Sequence, residues 1–202
     1  MLFQLMYKLK RLLVLNNFKA VASGLNVKPL QEYLEDNPEL WNLITARQDA
    51  VDFHKDTQTI FIRGPLEMTV DSYFNTDSAI DYPIPQDLAL LLIPLLDHIY
   101  KNLNPTKIGR ILLVILKPSG QVQTHVDVGM YAKSYSRFHL AVSTSVDNFI
   151  FCETEKQHIK AGDVWWFNHR KKHSAANSSQ KERIHLILDL ETSLFQIDQE
   201  GL

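Results

Sequence analysis

Residues 107–127, KIGRILLVILKPSGQVQTHVD, decide the fold class and contain the first candidate functional residues. Residues 109–116 are almost continuously aliphatic, which predicts a buried strand. A Pro-Ser-Gly turn at 118–120 follows, and a second β-prone run then leads to His125 and Asp127. The stretch therefore predicts two short strands joined by a tight turn, with polar side chains where the second strand ends.

Short strands continue towards the C-terminus, whereas the first half of the chain is different. Several strands at this spacing are typical of a closed sandwich or jelly roll. Helical periodicity precedes them, so we expect an α+β fold with N-terminal helices packed on one outer face of the jelly roll. We expect one domain over residues 1–202, with a mainly helical part containing one strand (1–105) and a β core (106–192). The predicted strands are 58–65, 137–144, 148–152, 164–168 and 183–190, and the predicted helices are 27–35 and 87–102.

Composition limits the possible partners. The 202 residues carry 21 basic and 23 acidic side chains, a net charge of −2, so no nucleic-acid or membrane-surface partner is expected. Cys152 is the single cysteine, which excludes an intrachain disulfide and suits a reducing compartment. In residues 1–15 the charges lie within the apolar run rather than before it, so we interpret the chain as cytoplasmic. The oligomeric state stays open.

His125, Asp127 and His173 form a candidate metal site. Residues i and i+2 of a strand point to the same side, so a strand would bring His125 and Asp127 together. His173 lies near the start of another β-prone stretch. Two imidazoles and a carboxylate cover one face of an octahedral ferrous ion and leave three positions free. The chain has eight histidines, so ordinary surface or core histidines are the alternative interpretation.

Arg183 follows His173 by ten residues and strengthens the metal-site hypothesis. On a strand, Arg183 shares one face with His185, and this face is predicted to point into the jelly roll. A buried guanidinium needs an anion, and a dicarboxylic co-substrate would supply one. The alternative is that Arg183 points outward and pairs with Glu182 or Asp189.

Other polar residues are candidates for binding co-substrate or substrate. Arg137 and His139 have i, i+2 spacing, so both can face one cavity beside the oxyanion of a chelating keto acid. Otherwise Arg137 is a solvated residue at a strand start and His139 a core residue. Arg63, His54 and Arg137 could bind a substrate carboxylate, although an exposed salt bridge explains Arg63 equally well.

At these residues the chain resembles the aspartyl/asparaginyl β-hydroxylase family of Fe(II)- and 2-oxoglutarate-dependent oxygenases. The resemblance covers about residues 41–190. Its most specific parts are residues 117–120 leading to His125, and the segments 137–140 and 162–168. Asn177, residues 183–186, Asp189 and the upstream segment 47–60 extend the likeness.

The resemblance implies a double-stranded β-helix, the cupin-like jelly roll, with iron held by His125 and His173. It implies that Arg183 pairs with the distal carboxylate of 2-oxoglutarate, and that Arg137 and His139 lie near the chelating end or the substrate. The implied reaction hydroxylates an unactivated C–H bond of an amino acid, or of an Asp/Asn-type side chain in a peptide. Succinate and carbon dioxide are the implied co-products.

Asp127 departs from one branch of this family, since the mammalian protein hydroxylases have glycine at that position. Its presence resembles members with a fuller ligand set, several of which act on free amino acids. Two alternatives remain, a cupin-type metalloenzyme and a metal- or ligand-binding jelly roll without 2-oxoglutarate. His173 and Asn177 resemble the end of a cupin motif, but the usual third histidine and the glutamate are missing. Arg183 distinguishes the oxygenase interpretation from both alternatives, because neither alternative has an evident use for that cation.

Overall fold

The computed structural model describes residues 17–45, 54–67 and 69–195. The N-terminal run 1–15 therefore lies outside the described residues. So does the part of the family-like upstream segment that precedes His54.

Two antiparallel sheets form the framework. Their strands are β1 (Phe18–Ala22), β2 (Thr57–Pro65), β3 (Ala79–Asp81), β4 (Lys107–Leu116), β5 (Gln121–His125), β6 (Ser136–Ser143), β7 (Asn148–Cys152), β8 (Glu155–Gln157), β9 (Val164–Phe167), β10 (His173–Asn177) and β11 (Arg183–Glu191). The major sheet has the order β1-β9-β6-β11-β4-β2-β3, and the minor sheet has the order β5-β10-β7-β8. Most neighbours in each sheet are not consecutive along the chain, as in a double-stranded β-helix, and the predicted jelly roll is confirmed.

The helices lie mainly against one face of the major sheet. They are α1 (Lys28–Asp36), α2 (Val70–Asn75), α3 (Gln86–Leu103) and α4 (Gly129–Ser134), with short 3-10 turns at Pro38–Asn42 and Ser193–Phe195. The largest hydrophobic cluster joins α1 and α3 to that face, through Leu30, Leu34, Leu88, Leu92, Ile99, Leu113, Ile115, Phe138, Leu140 and Leu186. The expected packing of N-terminal helices on one outer face is therefore confirmed. Among the described residues, no helix is long and apolar enough to cross a membrane.

The side chains of β11 alternate between the two sides of the major sheet, as the sequence pattern predicted. Ile184, Leu186 and Leu188 belong to the cluster shared with the helices. Ile187 belongs instead to a second cluster with Phe61, Leu112 and Val114 on the inner side. Arg183, His185 and Asp189 share the parity of Ile187, and all three are buried between the sheets.

The expectation of one strand before residue 106 was wrong, since the described part of that region holds β1, β2 and β3. The strand β1 is a five-residue edge strand with only Phe18 fully buried, so its sequence alternation is weak. Its main chain pairs with β9, about 145 residues later in the chain, and this pairing makes it a strand. Local patterning cannot reveal a partner at such a distance.

The helix α3 continues past Pro94, which is therefore not the first residue of a helix. Proline lacks the N–H that would bond the carbonyl of Leu90, four residues earlier. Leu90 is 57% exposed, so water can reach this turn of the helix. The proline is tolerated because it lies on the solvent-exposed side of the helix.

Candidate active site

His125, Asp127 and His173 meet at one end of the minor sheet. His125 ends β5, His173 begins β10, and the two are cross-strand partners. One ligand atom from each of the three side chains lies within 4.8 Å of the other two. His125 Nε2 is 3.5 Å from Asp127 Oδ1. Three ligand atoms so close together can bind a single metal ion and cover one face of its coordination sphere.

Asp127 reaches this cluster from a loop, not from a strand. The strand β5 ends at His125, so the alternation argument for Asp127 was wrong in its mechanism although the two side chains do meet. The loop is held by the backbone N–H of Asp127, which donates to the carbonyl of His169 at 3.2 Å. A contact with a segment 42 residues away therefore positions the carboxylate.

The backbone fixes the tautomers of both candidate histidine ligands. His125 Nδ1 is 2.8 Å from the carbonyl of Gln123, and His173 Nδ1 is 2.9 Å from the carbonyl of Lys171. A carbonyl only accepts hydrogen bonds, so each Nδ1 carries a proton. Burial lowers the pKa of His173 to about 4, so its ring is neutral at pH 7. The neutral ring of His173 therefore keeps a lone pair on Nε2, the form that binds a metal, and the ring of His125 is oriented by the same kind of backbone bond.

Arg137 holds the third candidate ligand. Its Nη1 donates to Asp127 Oδ2 at 2.6 Å, while Nε and Nη2 donate to the two oxygens of Asp189 at 2.8 and 3.0 Å. Burial by itself would raise the pKa of Asp127, but the charge of Arg137 outweighs it and holds the pKa well below its usual range. The carboxylate is therefore ionised, and its Oδ1 is left beside His125. Arg137 was expected near co-substrate or substrate, and it lies at the site as a positioning residue for Asp127.

Arg183 is buried between the sheets, and no carboxylate among the described residues pairs with it. Arg183 is only 4% exposed, and its Nε and Nη1 atoms have no hydrogen-bond partner among the described residues. The outward ion pair is contradicted, because Asp189 pairs with Arg137 and Glu182 is exposed. Burial lowers the pKa of Arg183 to about 10, which leaves the guanidinium charged at pH 7. A buried cation with two unused donors fits an anionic ligand.

His139 and His185 form a polar pair near Arg183. Their Nδ1 atoms are 3.1 Å apart, and neither Nε2 has a partner among the described residues. One ring must donate and the other accept, so the accepting ring carries its proton on Nε2. Burial first, and then the charge of Arg183, lower the pKa of both rings well below the usual range. Both are neutral, and the accepting ring directs a second N–H donor into this interior space.

A pocket with about 360 Å³ of empty space, part of it open to solvent, adjoins Asp127. His54, a candidate substrate residue, lines this pocket, and its ring lies edge-on to His125 with centroids 5.9 Å apart. Arg63 does not. It pairs with Asp81 at 2.7 Å, donates to the carbonyl of Ile108 and is partly exposed, so its expected role in substrate binding is contradicted.

Arg110 lines the same pocket, and the sequence interpretation missed it. The residue is 3% exposed. Its signal was present, because it is the only charged residue in the aliphatic run 109–116. A charge in a predicted buried strand marks either a costly burial or a functional residue. Tyr131, which also lines the pocket, comes from α4, a helix the sequence patterns did not predict.

Comparisons with known proteins agree with this architecture. A prolyl hydroxylase from Trichoplax adhaerens, solved with a peptide fragment of the hypoxia-inducible factor oxygen degradation domain, matches 98% of this chain and 97% of its own, at 13% identity and a TM-score of 0.55. A Pseudomonas putida prolyl-4-hydroxylase matches 87% of this chain and 92% of its own, at 11% identity and a TM-score of 0.50. A Burkholderia pseudomallei oxidoreductase of the 2OG-Fe(II) oxygenase family matches 67% of this chain and 66% of its own, at 9% identity and a TM-score of 0.48. No curated protein sequence matches this chain.

These solved structures share the fold of this chain, and its clustered His, Asp and His side chains could hold a metal ion within that fold. The family follows from the sequence. The family model for aspartyl/asparaginyl β-hydroxylase matches residues 88–193, more than half of the chain, and the chain belongs to that family. The matched region contains both candidate histidine ligands, Asp127 and Arg183.

Proposed function

We propose that this protein hydroxylates an unactivated C–H bond of an amino acid, or of an Asp/Asn-type side chain in a peptide, using Fe(II) and 2-oxoglutarate. One observation carries the proposal. A buried arginine, Arg183, has unused donors on the inner side of the same β-helix that holds His125, Asp127 and His173. A metal-binding jelly roll or cupin that does not use 2-oxoglutarate would leave this buried cation without an anion.

In this proposal His125, Asp127 and His173 bind the iron. Their donor set of two neutral imidazoles and one carboxylate is the set that non-haem Fe(II) oxygenases use, with positions left for co-substrate and dioxygen. The carbonyls of Gln123 and Lys171 orient the two rings. When bound, iron and 2-oxoglutarate supply the oxidising power, with dioxygen consumed and succinate and carbon dioxide released.

Arg183 is the proposed partner of the distal carboxylate of 2-oxoglutarate. Its planar fork matches a carboxylate, and burial excludes the water that would compete for it. His139 contacts groups on both sides: its Nδ1 is 3.1 Å from Nδ1 of His185, two residues after Arg183 on β11, and its ring lies edge-on to Phe167, whose ring also contacts that of His173. The N–H donor of the pair supports the same anion. The protein thereby orients the co-substrate with neutral and cationic groups rather than with carboxylates.

The substrate class is an amino acid or a peptide. The Trichoplax adhaerens neighbour was solved with a peptide, which supports the peptide alternative. The fuller ligand set with Asp127 supports a free amino acid. A cytoplasmic location is part of the proposal, supported by the lone cysteine, whose pKa is raised by burial to about 12 so that the thiol stays protonated.

Anaerobic addition of Fe(II) and 2-oxoglutarate tests the proposal. A weak visible metal-to-ligand charge-transfer band is expected for the wild type. His173→Ala removes a ligand and Arg183→Ala removes the distal anchor, so both variants should lose the band. Lys101→Ala, which removes an exposed lysine on α3, should keep it. A wild-type protein without the band, given stoichiometric iron binding, would favour a cupin or binding module instead.

A further inference from the structure

The helix α4 forms one wall of the pocket beside Asp127. Val128, directly before the helix, and Tyr131 and Ala132 within it line that pocket. The helix has only six residues, too few to be stable from its own hydrogen bonds. Contacts with other elements must therefore hold it, and those contacts set the shape of the pocket.

Two close contacts at glycines attach α4 to neighbouring elements. Gly129 has a φ of 93°, and a Cβ there would clash with the carbonyl oxygen of Phe74 on α2. At Gly109 on β4 a Cβ would lie 2.5 Å from the hydroxyl oxygen of Tyr131, which accepts the backbone N–H of Arg110 at 2.7 Å. The helix is thereby fixed against α2 and β4.

His169 gives α4 a third attachment, which also reaches the proposed iron site. Its Nε2 donates to the carbonyl of Ala132 at 3.2 Å. Ala132 lies in the last turn of the helix, where carbonyls have no partner within the helix. The carbonyl of His169 in turn accepts the backbone N–H of Asp127 at 3.2 Å. One residue therefore bonds both the wall of the pocket and the loop that carries the third candidate iron ligand.

The surroundings of His169 favour a positioning role over a purely structural one. The residue is 2% exposed, and its ring packs edge-on against Phe167, whose ring also contacts that of His173. Its Nδ1 has no hydrogen-bond partner among the described residues. A buried ring nitrogen without a partner costs folding free energy, so an apolar ring would fill this space at less cost. The imidazole is explained instead by the bond that its Nε2 makes.

We infer that His169 is a positioning residue that keeps the wall of the substrate pocket and the proposed iron ligand Asp127 in a fixed arrangement. This inference rests on the proposed function and goes beyond it. Hydroxylation requires the reacting C–H bond to lie at a defined place relative to the iron, and a displacement of about 1 Å can cost about a hundredfold in rate. Arg137 holds the carboxylate of Asp127, whereas His169 holds its main chain and joins it to α4.

Three substitutions separate the Nε2 donor of His169 from the bulk of its ring. His169→Phe keeps the size of the ring and removes the donor. His169→Gln places an amide N–H near the position of Nε2, whereas the shorter side chain of His169→Asn cannot reach the carbonyl of Ala132. The Gln variant should therefore behave like the wild type, and the Phe and Asn variants should not.

Hydrogen exchange measures the attachment of α4. In the Fe(II)-loaded protein, the amides of residues 129–135 should exchange at least about tenfold faster in His169→Phe and His169→Asn than in the wild type, while His169→Gln stays within about threefold. His98→Phe and His98→Gln are matched controls, because His98 is exposed on α3, and both should exchange like the wild type in this segment.

Anaerobic Fe(II) titration, at a temperature where every variant is folded, measures the effect on Asp127. The dissociation constant should rise about tenfold in His169→Phe and His169→Asn, and it should return to within about twofold of the wild type in His169→Gln. A residue with a purely structural role would change Tm but not this constant.

Three outcomes would overturn the inference: exchange at 129–135 within about threefold of the wild type in both the Phe and Asn variants, faster exchange without a change in Fe(II) affinity, or a Gln variant that fails to restore either property. If His169→Phe does not fold, the comparison of the Asn and Gln variants decides the same question. The proposed function is tested separately, because a wild type without the charge-transfer band would refute it whatever the His169 variants show.

Discussion

Replacing Arg183 with methionine should make the ligand-free protein more stable while abolishing its response to 2-oxoglutarate. Methionine retains most of the length of the side chain without the charge. Burial lowers the pKa of Arg183 from 12.5 to about 10. Each pKa unit corresponds to about 1.4 kcal/mol, so keeping the charge buried costs the folded state about 3 kcal/mol. Replacing buried charges with apolar residues of similar volume has stabilised other proteins by a comparable amount, about 1–4 kcal/mol.

The stability arm uses urea unfolding of the metal-free protein. The free energy of unfolding of Arg183→Met should exceed that of the wild type by about 3 kcal/mol, which for a domain of this size raises Tm by about 6–12 °C. Lys101→Met is the control, because Lys101 is exposed and pairs with Asp97 one helical turn away. Its unfolding free energy should change by no more than about 0.5 kcal/mol.

The ligand arm uses anaerobic thermal unfolding with Fe(II) and increasing 2-oxoglutarate. A ligand that binds only the folded state raises Tm with concentration, so the wild type should respond and Arg183→Met should not. An Arg183→Met protein less stable than the wild type would mean that the guanidinium has a structural partner and would refute the reasoning. A stabilised variant that still responds to 2-oxoglutarate would place the co-substrate elsewhere.

Three further perturbations test other parts of the site. Arg137→Lys loses the fork that orients Asp127, so anaerobic titration should find Fe(II) affinity about 10–100-fold weaker, and unchanged affinity would remove its positioning role. His139 and His185 stay neutral when buried, whereas unfolded histidines bind protons below about pH 6.5. Unfolding free energy of the metal-free protein should therefore fall from pH 6.5 to 5.5, by up to about 1.4 kcal/mol for each ring, and a flat urea-denaturation profile would contradict this. Asn177→Ala leaves the carbonyls of Leu116, Lys117 and Lys181 without their shared donor, the first buried and the other two partly buried, so chemical denaturation should give a loss of about 2 kcal/mol, and a loss under about 1 kcal/mol would refute the role.

Much of the framework could be predicted because its signals are local. The aliphatic run before the 118–120 turn and the alternation along 183–190 each predict a strand from neighbouring residues alone. The helix at Gln86–Leu103 was predicted within one residue at either end. By contrast, β1 depends on main-chain bonds to β9, and α4 is too short to have a clear periodicity. Short elements are stabilised by tertiary partners, which local patterning does not contain.

The sequence by itself determined which chemistry is available, namely two histidines, an aspartate and an inward-facing arginine within a predicted jelly roll. Alternation suffices for Arg183, because a strand buried on both sides has only two directions in which a side chain can point. Only the tertiary structure decided that Arg137 serves Asp127, that Arg63 turns away to Asp81, and that Arg110 enters the pocket. Those outcomes depend on which charged groups meet across strands far apart in the chain. The interaction between two charged groups depends on their separation in space, and their separation in sequence says little about that distance.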